Sequence, residues 1–307
     1  MLTSAYIKEK ARQFGADLCG IGDIALFEGC DPQRDPRKIC PKAAAVIGFV
    51  FRVPKGLYAG MENANQFLNY TQLGVKYIDE QLAEMFLLRM AAVIENEGYD
   101  ACVQRNVSNL KIKGDKTQNP EVVDTYELIH ASPVAPGLPT PDIILDFPKA
   151  AQLCGLGCIG VSGSLLTREF GPFVRLAFIV TDAPLEPDAP LEPDAPFTEN
   201  LCDGCMECAK ACPGHCIDDS GRDSWSCSVY YRGAHESNPY MTADFLREHP
   251  QREAILKGEM RFDAASARAI YPAMDFLPSK RTGYAPCICG KKCDIACYKH
   301  IMGVKEL

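Results

Sequence analysis

One short run constrains this chain more than any other: CDGCMECAKACP, with Cys202, Cys205, Cys208 and Cys212 followed by Pro213. Its spacing, C-x2-C-x2-C-x3-C-P, is that of a ligand run serving paired iron–sulfur clusters. Two-residue gaps let three thiolates of one tight loop wrap three corners of a cubane. The fourth, Cys212, is expected at the start of a following helix, where Pro213 costs nothing by lacking an N–H. From there it points away and serves a different cluster. Zinc is the competing occupant, but zinc usually takes two separated C-x2-C pairs in a tetrahedron. This run does not divide that way.

If Cys212 serves a second cluster, that cluster needs three more thiolates and the first needs one. Downstream stand Cys216, Cys227, Cys287, Cys289, Cys293 and Cys297. Cys297 is expected to open a short helix, CYKHIMG, and by the same exchange it completes the first cluster with Cys202, Cys205 and Cys208. Cys212, Cys227, Cys289 and Cys293 then hold the second. Cys216 and Cys287 are left as spares, and Cys287 in place of Cys289 stays an open alternative. The reading is two [4Fe–4S] clusters.

Sixteen cysteines in 307 residues suit metal ligation in a reducing compartment better than disulfides. The scattered Cys19, Cys30, Cys40 and Cys102 read as small buried hydrophobes. No run reaches the ~18 apolar residues of a membrane span; the best stretches, 43–51 and 85–94, are short or carry an Arg. The N-terminal MLTSAYIKEKARQFG is charged and helical in pattern, unlike a signal peptide. A cytoplasmic protein without a membrane span is expected. The net charge of −8 argues against a dominant phosphate-binding surface.

Hydrophobic pattern gives a helix over 3–14, capped by Thr3 or Ser4 and stopped by Gly15. Strands are expected at 16–22, 43–51, 99–104 and 174–181, and a long helical region over 64–97. Strands mixed with long helices mean an α/β or α+β first domain. Residues 182–196, DAPLEPDAPLEPDAP, write one acidic hexapeptide twice and begin it again. Such a stretch should be an extended, solvated connector. Domains are therefore expected over 1–181 and 199–307, with a connector at 182–198.

Gly155, Gly157 and Gly160 spell G-x-G-x-x-G. A dinucleotide fold needs a strand before such a motif and a helix after it, yet DFPKAAQL before it is helical in pattern and VSGSLLTREFGP after it has no helical face. A close backbone approach to a corrinoid or flavin is the functional alternative, and a plain turn the other.

Taken together, these stretches resemble the epoxyqueuosine reductase family, iron–sulfur and cobalamin proteins related to the reductive dehalogenases. Residues 150–188, AAQLCGLGCIGVSGSLLTREFGPFVRLAFIVTDAPLEPD, are similar to the family's glycine segment, strand and Thr-Asp-x-Pro-Leu-Glu-Pro-Asp stretch. The Cys202–Pro213 run with Cys227 in WSCSVYY, the terminal Cys289, Cys293 and Cys297, and the N-terminal IKEKARQFGADLCGIG follow in the family's order. The chain also departs from the pattern. The gap from Cys289 to Cys293 is one longer, Tyr298 stands where proline is usual, Cys158 replaces an aromatic, and Val161 stands where Lys is common. In LIHASPVAPG (128–137), Ala131 faces the position of the family's catalytic Asp; Asp124, Asp142 and Asp146 lie outside that motif.

The resemblance implies a nitroreductase-like domain that holds a corrinoid (cobalamin), joined to a bacterial ferredoxin-like module of two [4Fe–4S] clusters. Electrons would pass from a reduced ferredoxin or flavodoxin-type donor through the clusters to cobalt, in an anaerobic setting. Gly155, Gly157, Gly160 and Ser162 are the implied corrinoid contacts. His130, Tyr126 and Tyr70 are candidate proton donors, each with burial as a satisfied core side chain as the competing reading. The missing Asp and the acidic charge argue against tRNA and for a small-molecule substrate. An electron-transfer protein serving a partner enzyme is the second reading, and a flavin-dependent reductase the third.

Overall fold

A computed structural model describes residues 2–106, 143–188, 201–274 and 284–307. In chain order its main elements are α1 (Ser4–Phe14), β1 (Leu18–Asp23), β2 (Ala45–Arg52), α2 (Lys55–Glu62), α3 (Ala83–Glu95), β3 (Ala101–Gln104), α4 (Phe147–Leu153), β4 (Cys158–Ile159), β5 (Leu165–Leu166), β6 (Val174–Thr181), α5 (Glu207–Ala211), α6 (Ser224–Tyr231), α7 (Ala264–Ile270) and α8 (Lys292–Met302). Helix and sheet are mixed, as expected. The described residues fall into two compact units that interleave in sequence. One takes those within Met1–Phe51, Asp79–Gly157 and Arg175–Phe197; the other takes those within Arg52–Ile78, Cys158–Val174 and Thr198–Leu307. Residues 52–78 and 158–174 thus belong with the cysteine-rich C-terminal part, whereas the sequence reading drew one boundary at the proline-rich repeat.

The first unit is built on a four-stranded sheet of order β1-β2-β6-β3, with β1 antiparallel to β2 and β3 antiparallel to β6. β2 is buried from Ala45 to Phe51, the signature of a strand covered on both faces. Phe86 of α3 packs edge-on against Phe49 and Phe51, ring centroids 4.7 and 5.1 Å away. α1 begins where Thr3 Oγ1 accepts the Tyr6 N–H and ends at Gly15, whose φ of 108° suits glycine. Asp79, almost fully buried, is paired with Arg175 on β6.

The start of the proline-rich repeat is not a solvated spacer. Ala183 and Leu185 are buried. The Asp188 N–H donates to the Ile21 carbonyl at 2.8 Å, Asp188 Oδ2 accepts the Ile21 N–H at 2.9 Å, and the same carboxylate pairs with Lys8. Composition reads Pro and Asp as solvated; here their polar groups are satisfied by β1 and α1, so the segment packs as an edge. The later repeats lie outside the described residues.

In the second unit α5 and α8 pack together. Two helix expectations change here. α5 precedes Cys212 rather than following it, and Cys212 is extended with ψ 116°. Proline disfavours helical geometry in the residue before it, so Pro213 ends this helix and does not start another. Cys297 likewise does not open a helix. α8 begins at Lys292, with Asp294 in its first turn where the helix dipole favours a carboxylate, and Gly303 closes it at φ 63°. Cys293 and Cys297 are therefore four residues apart on one helix face. The long helical region expected over 64–97 is shorter as regular helix: residues 70–76 and 78–82 wind in wider π-type turns before α3.

Candidate metal centre

All the candidate cluster cysteines lie in the second unit. Cys208 sits on α5, just after the loop that carries Cys202 and Cys205, and Cys297 sits on α8, which packs against α5. Their thiols act on each other. Burial, then Asp294, then the Cys208, Cys202 and Cys205 thiols push Cys297 up to about 12. Burial and the thiols of Cys202 and Cys205 likewise raise Cys208. The Val161 N–H, at the end of the glycine segment, donates to Cys202 Sγ at 3.4 Å.

A second set gathers separately. Burial raises Cys227, and the neighbouring thiols of Cys289 and Cys212 add to it against Arg222. Burial and Asp294, then Cys289 and Cys227, raise Cys293 well above the ordinary thiol range. Cys212 goes the other way: a hydrogen bond from the Cys216 thiol outweighs burial and brings it down to about 6. The Cys216 N–H also donates to Cys212 Sγ, at 3.4 Å. Cys287 is fully buried with its Sγ 3.9 Å from that of Cys289, and its N–H donates to Thr71 Oγ1. Both terminal alternatives, Cys287 and Cys289, therefore lie at this set.

Burial is the largest cause of the rise at Cys208, Cys227, Cys293 and Cys297, and the neighbouring thiols add to it. Each ionises alone at a cost to its neighbours, and only a bound cation lets them ionise together. The donor set thus suits soft metal or iron–sulfur binding.

Charged neighbours that the sequence reading passed over frame these sulfurs. Lys291, in a left-handed conformation at the head of α8, pairs through Nζ with Asp294 Oδ2 at 2.8 Å. Asp203, Cys205 and His300 bring their ligand-type atoms within 4.8 Å of one another, with His300 Nε2 2.9 Å from Asp203 Oδ2. His300 lies three residues after Cys297, a helical spacing that could have drawn attention to it.

The remaining candidates divide. Tyr70 is buried in the second unit, its ring centroid 5.0 Å from that of Tyr58. Gly155 takes φ 72°; Gly157, Gly160 and Ser162 are buried. A Cβ on Gly160 would lie 2.9 Å from Leu166 and 3.7 Å from Cys202 Sγ, so glycine here allows close approach to a candidate ligand sulfur. The motif runs into the short β4–β5 hairpin, not into the helix a dinucleotide site needs. His130, Tyr126 and Ala131, with Asp124 and Asp142, lie outside the described residues. Among the described residues no helix is long and apolar enough to cross a membrane.

No protein-family model matches the chain. Curated relatives do. The tetrachloroethene reductive dehalogenase of Dehalobacter restrictus is 41% identical over 76 residues, 25% of this chain and 13% of that protein. The epoxyqueuosine reductase of Listeria monocytogenes is 32% identical over 99 residues, 32% of this chain and 22% of that protein. The chain therefore aligns with less than a quarter of the length of either relative. A solved reductive dehalogenase, studied for B12-dependent dehalogenation, aligns over 94% of this chain and 37% of its own at 19% identity, with a TM-score of 0.48, too low to argue a common fold. Over these stretches the chain is similar in sequence both to epoxyqueuosine reductases and to reductive dehalogenases.

Proposed function

We propose that the chain is an iron–sulfur oxidoreductase that reduces a small molecule. In this reading a nitroreductase-like part holds a corrinoid, and a ferredoxin-like part holds two [4Fe–4S] clusters. Cys202, Cys205, Cys208 and Cys297 hold one cluster; Cys212, Cys227, Cys289 and Cys293 hold the other. The observation that carries the reading is proximity: α8, which carries the sequence-remote Cys297, packs on α5, which carries Cys208. The Cys208, Cys202 and Cys205 thiols thus add to the rise that burial and Asp294 cause at Cys297, as Cys289 and Cys212 add to burial at Cys227.

When bound, the clusters supply one-electron transfer and the corrinoid a strongly reducing cobalt. The chain's own groups set the conditions for both. The Val161 N–H at Cys202 Sγ stabilises negative charge on that sulfur, which favours the reduced form. Lys291 puts a positive charge beside the second set and is held there by Asp294. Tyr70, buried against Tyr58, holds a phenolic proton in the same unit and is one proposed proton donor; His130 and Tyr126 are the others. Gly155, Gly157, Gly160 and Ser162 are the proposed backbone approach to the corrinoid. The proposed donor is a reduced ferredoxin or flavodoxin-type protein, in the cytoplasm.

A second reading has one observation in its favour. Ala131 stands at the expected catalytic Asp, which suits an electron-transfer protein serving a partner enzyme without corrinoid chemistry of its own. Metal analysis and a visible spectrum after anaerobic purification separate the readings. Cobalt near one per chain together with iron supports the reductase, iron alone supports electron transfer, and flavin absorption supports a flavin-dependent reductase.

A further inference from the structure

Beside the first thiol set, the second unit holds a cavity of about 420 Å³, lined among others by Arg52, Lys55, Glu169, Phe170, Phe173 and Tyr298. Its volume falls in the range of small-molecule sites, roughly 300–1,000 Å³. Its floor is aromatic. Tyr298 lies flat on Phe173, ring centroids 4.2 Å apart and planes within 3°, and Phe173 lies flat on Tyr58 at 3.5 Å and 9°. Three parallel rings thus run inward from the cavity, with Tyr298 at its wall.

The walls are fixed in place. The Val53 N–H donates to the Phe173 carbonyl at 2.7 Å. Thr167 and Gly171 exchange backbone hydrogen bonds, and Thr167 Oγ1 accepts the Phe170 N–H at 3.1 Å, which closes a tight loop. Gly171, at φ 52°, comes so near Tyr298 that a Cβ would sit 3.3 Å from its ring; the missing side chain lets that ring lie flat. Two cations, Arg52 and Lys55, line the cavity against one carboxylate, Glu169. Lys55, exposed at the rim, and Arg52 thus bring cationic groups to a cavity with aromatic walls.

We propose that this cavity binds a planar aromatic molecule of mononucleotide size carrying a phosphate or carboxylate. The plane would lie against the Tyr298 and Phe170 rings and the anion at Lys55 and Arg52. Because Tyr298 follows Cys297, such a ligand would sit next to the first cluster. That neighbourhood rests on the function proposed above; the cavity, its rings and its charges do not.

The test is binding of two probes to the anaerobically purified protein, followed by fluorescence anisotropy: flavin mononucleotide, and riboflavin, which has the same ring system without the phosphate. The mononucleotide should bind more tightly than riboflavin. Lys55→Gln, an exposed position, should weaken the mononucleotide and leave riboflavin unchanged. Tyr298→Leu should weaken both by about three- to tenfold, the range for loss of one stacked ring. Equal binding of the two probes, indifference of the mononucleotide to Lys55→Gln, or no binding at millimolar probe would overturn the proposal. Iron is measured on the same samples. Probe binding without iron would leave the cavity standing and refute the clusters, and iron without probe binding would do the reverse.

Discussion

Lys291 and Asp294 form an ion pair at the head of α8, 2.8 Å apart, with the carboxylate side chain only 4% exposed. Burial works against the Lys291 charge, yet Asp294, with Tyr70 and Cys293 behind it, holds its pKa well above the ordinary lysine value. A raised folded pKa means that this contribution to stability is complete below the unfolded value of about 10.4 and is lost only as pH rises through the higher folded one. Lys291→Met leaves a buried carboxylate without its partner and should destabilise the protein by about 3–5 kcal/mol, read as the shift of the urea midpoint at pH 7. A change below about 1 kcal/mol, the size of an exposed pair, would show that the pair carries no such load.

His235 gives the opposite pH dependence. It is 1% exposed, with Nδ1 3.0 Å from Ser237 Oγ and Nε2 without a hydrogen-bond partner among the described residues. Burial first, and then Lys292, lower its pKa from 6.5 to about 4. Between those two values the unfolded chain binds a proton that the folded chain refuses. Stability should therefore fall as pH drops from 6.5 towards 4, by up to about 3 kcal/mol, and level off below. Unfolding curves of parent and His235→Leu across that window check this: the variant should show the shallower slope, and equal slopes would contradict the assignment.

Gly20 on β1 is a packing requirement. A Cβ there would lie 2.1 Å from the Cys154 carbonyl oxygen, a backbone atom that cannot swing aside. Gly20→Ala should cost about 1–3 kcal/mol in the same unfolding assay. Gly29→Ala is the paired control for space, since nothing lies within 4 Å of the added carbon, although its φ of 76° adds backbone strain of its own.

The spare thiols offer a sharper test of the ligand map than the ligands themselves. Cys216 donates its backbone N–H to Cys212 Sγ but holds no cluster in this map, and Cys287 lies 3.9 Å from Cys289. Cys216→Ser and Cys287→Ser should keep iron near the parent level, whereas Cys212→Ser and Cys289→Ser should each lose about half of it. Loss in Cys287→Ser with none in Cys289→Ser would exchange the two assignments.

Much of this architecture was legible from hydrophobic pattern. The strand expected at 174–181 coincides with β6, and the helix expected over 3–14 is α1 within one residue. Local chemistry misleads at Cys212: proline suits a helix start, yet it equally disfavours helix in the residue before it. The interleaving of the two units was not legible. A stripe such as Tyr58 and Met61 on α2 reports that a face is buried, but not which part of the chain covers it. The Tyr298–Phe173–Tyr58 stack was hidden for the same reason, since its rings come from three separate segments and only Tyr298 drew notice, as a departure from the family's proline.

Iron content of the anaerobically purified protein and of Cys297→Ala tests the central claim most directly. The account expects about eight irons per parent chain, with about half lost in the variant while the second set keeps its share. Zinc in place of iron, or an unchanged iron content in Cys297→Ala, would contradict it.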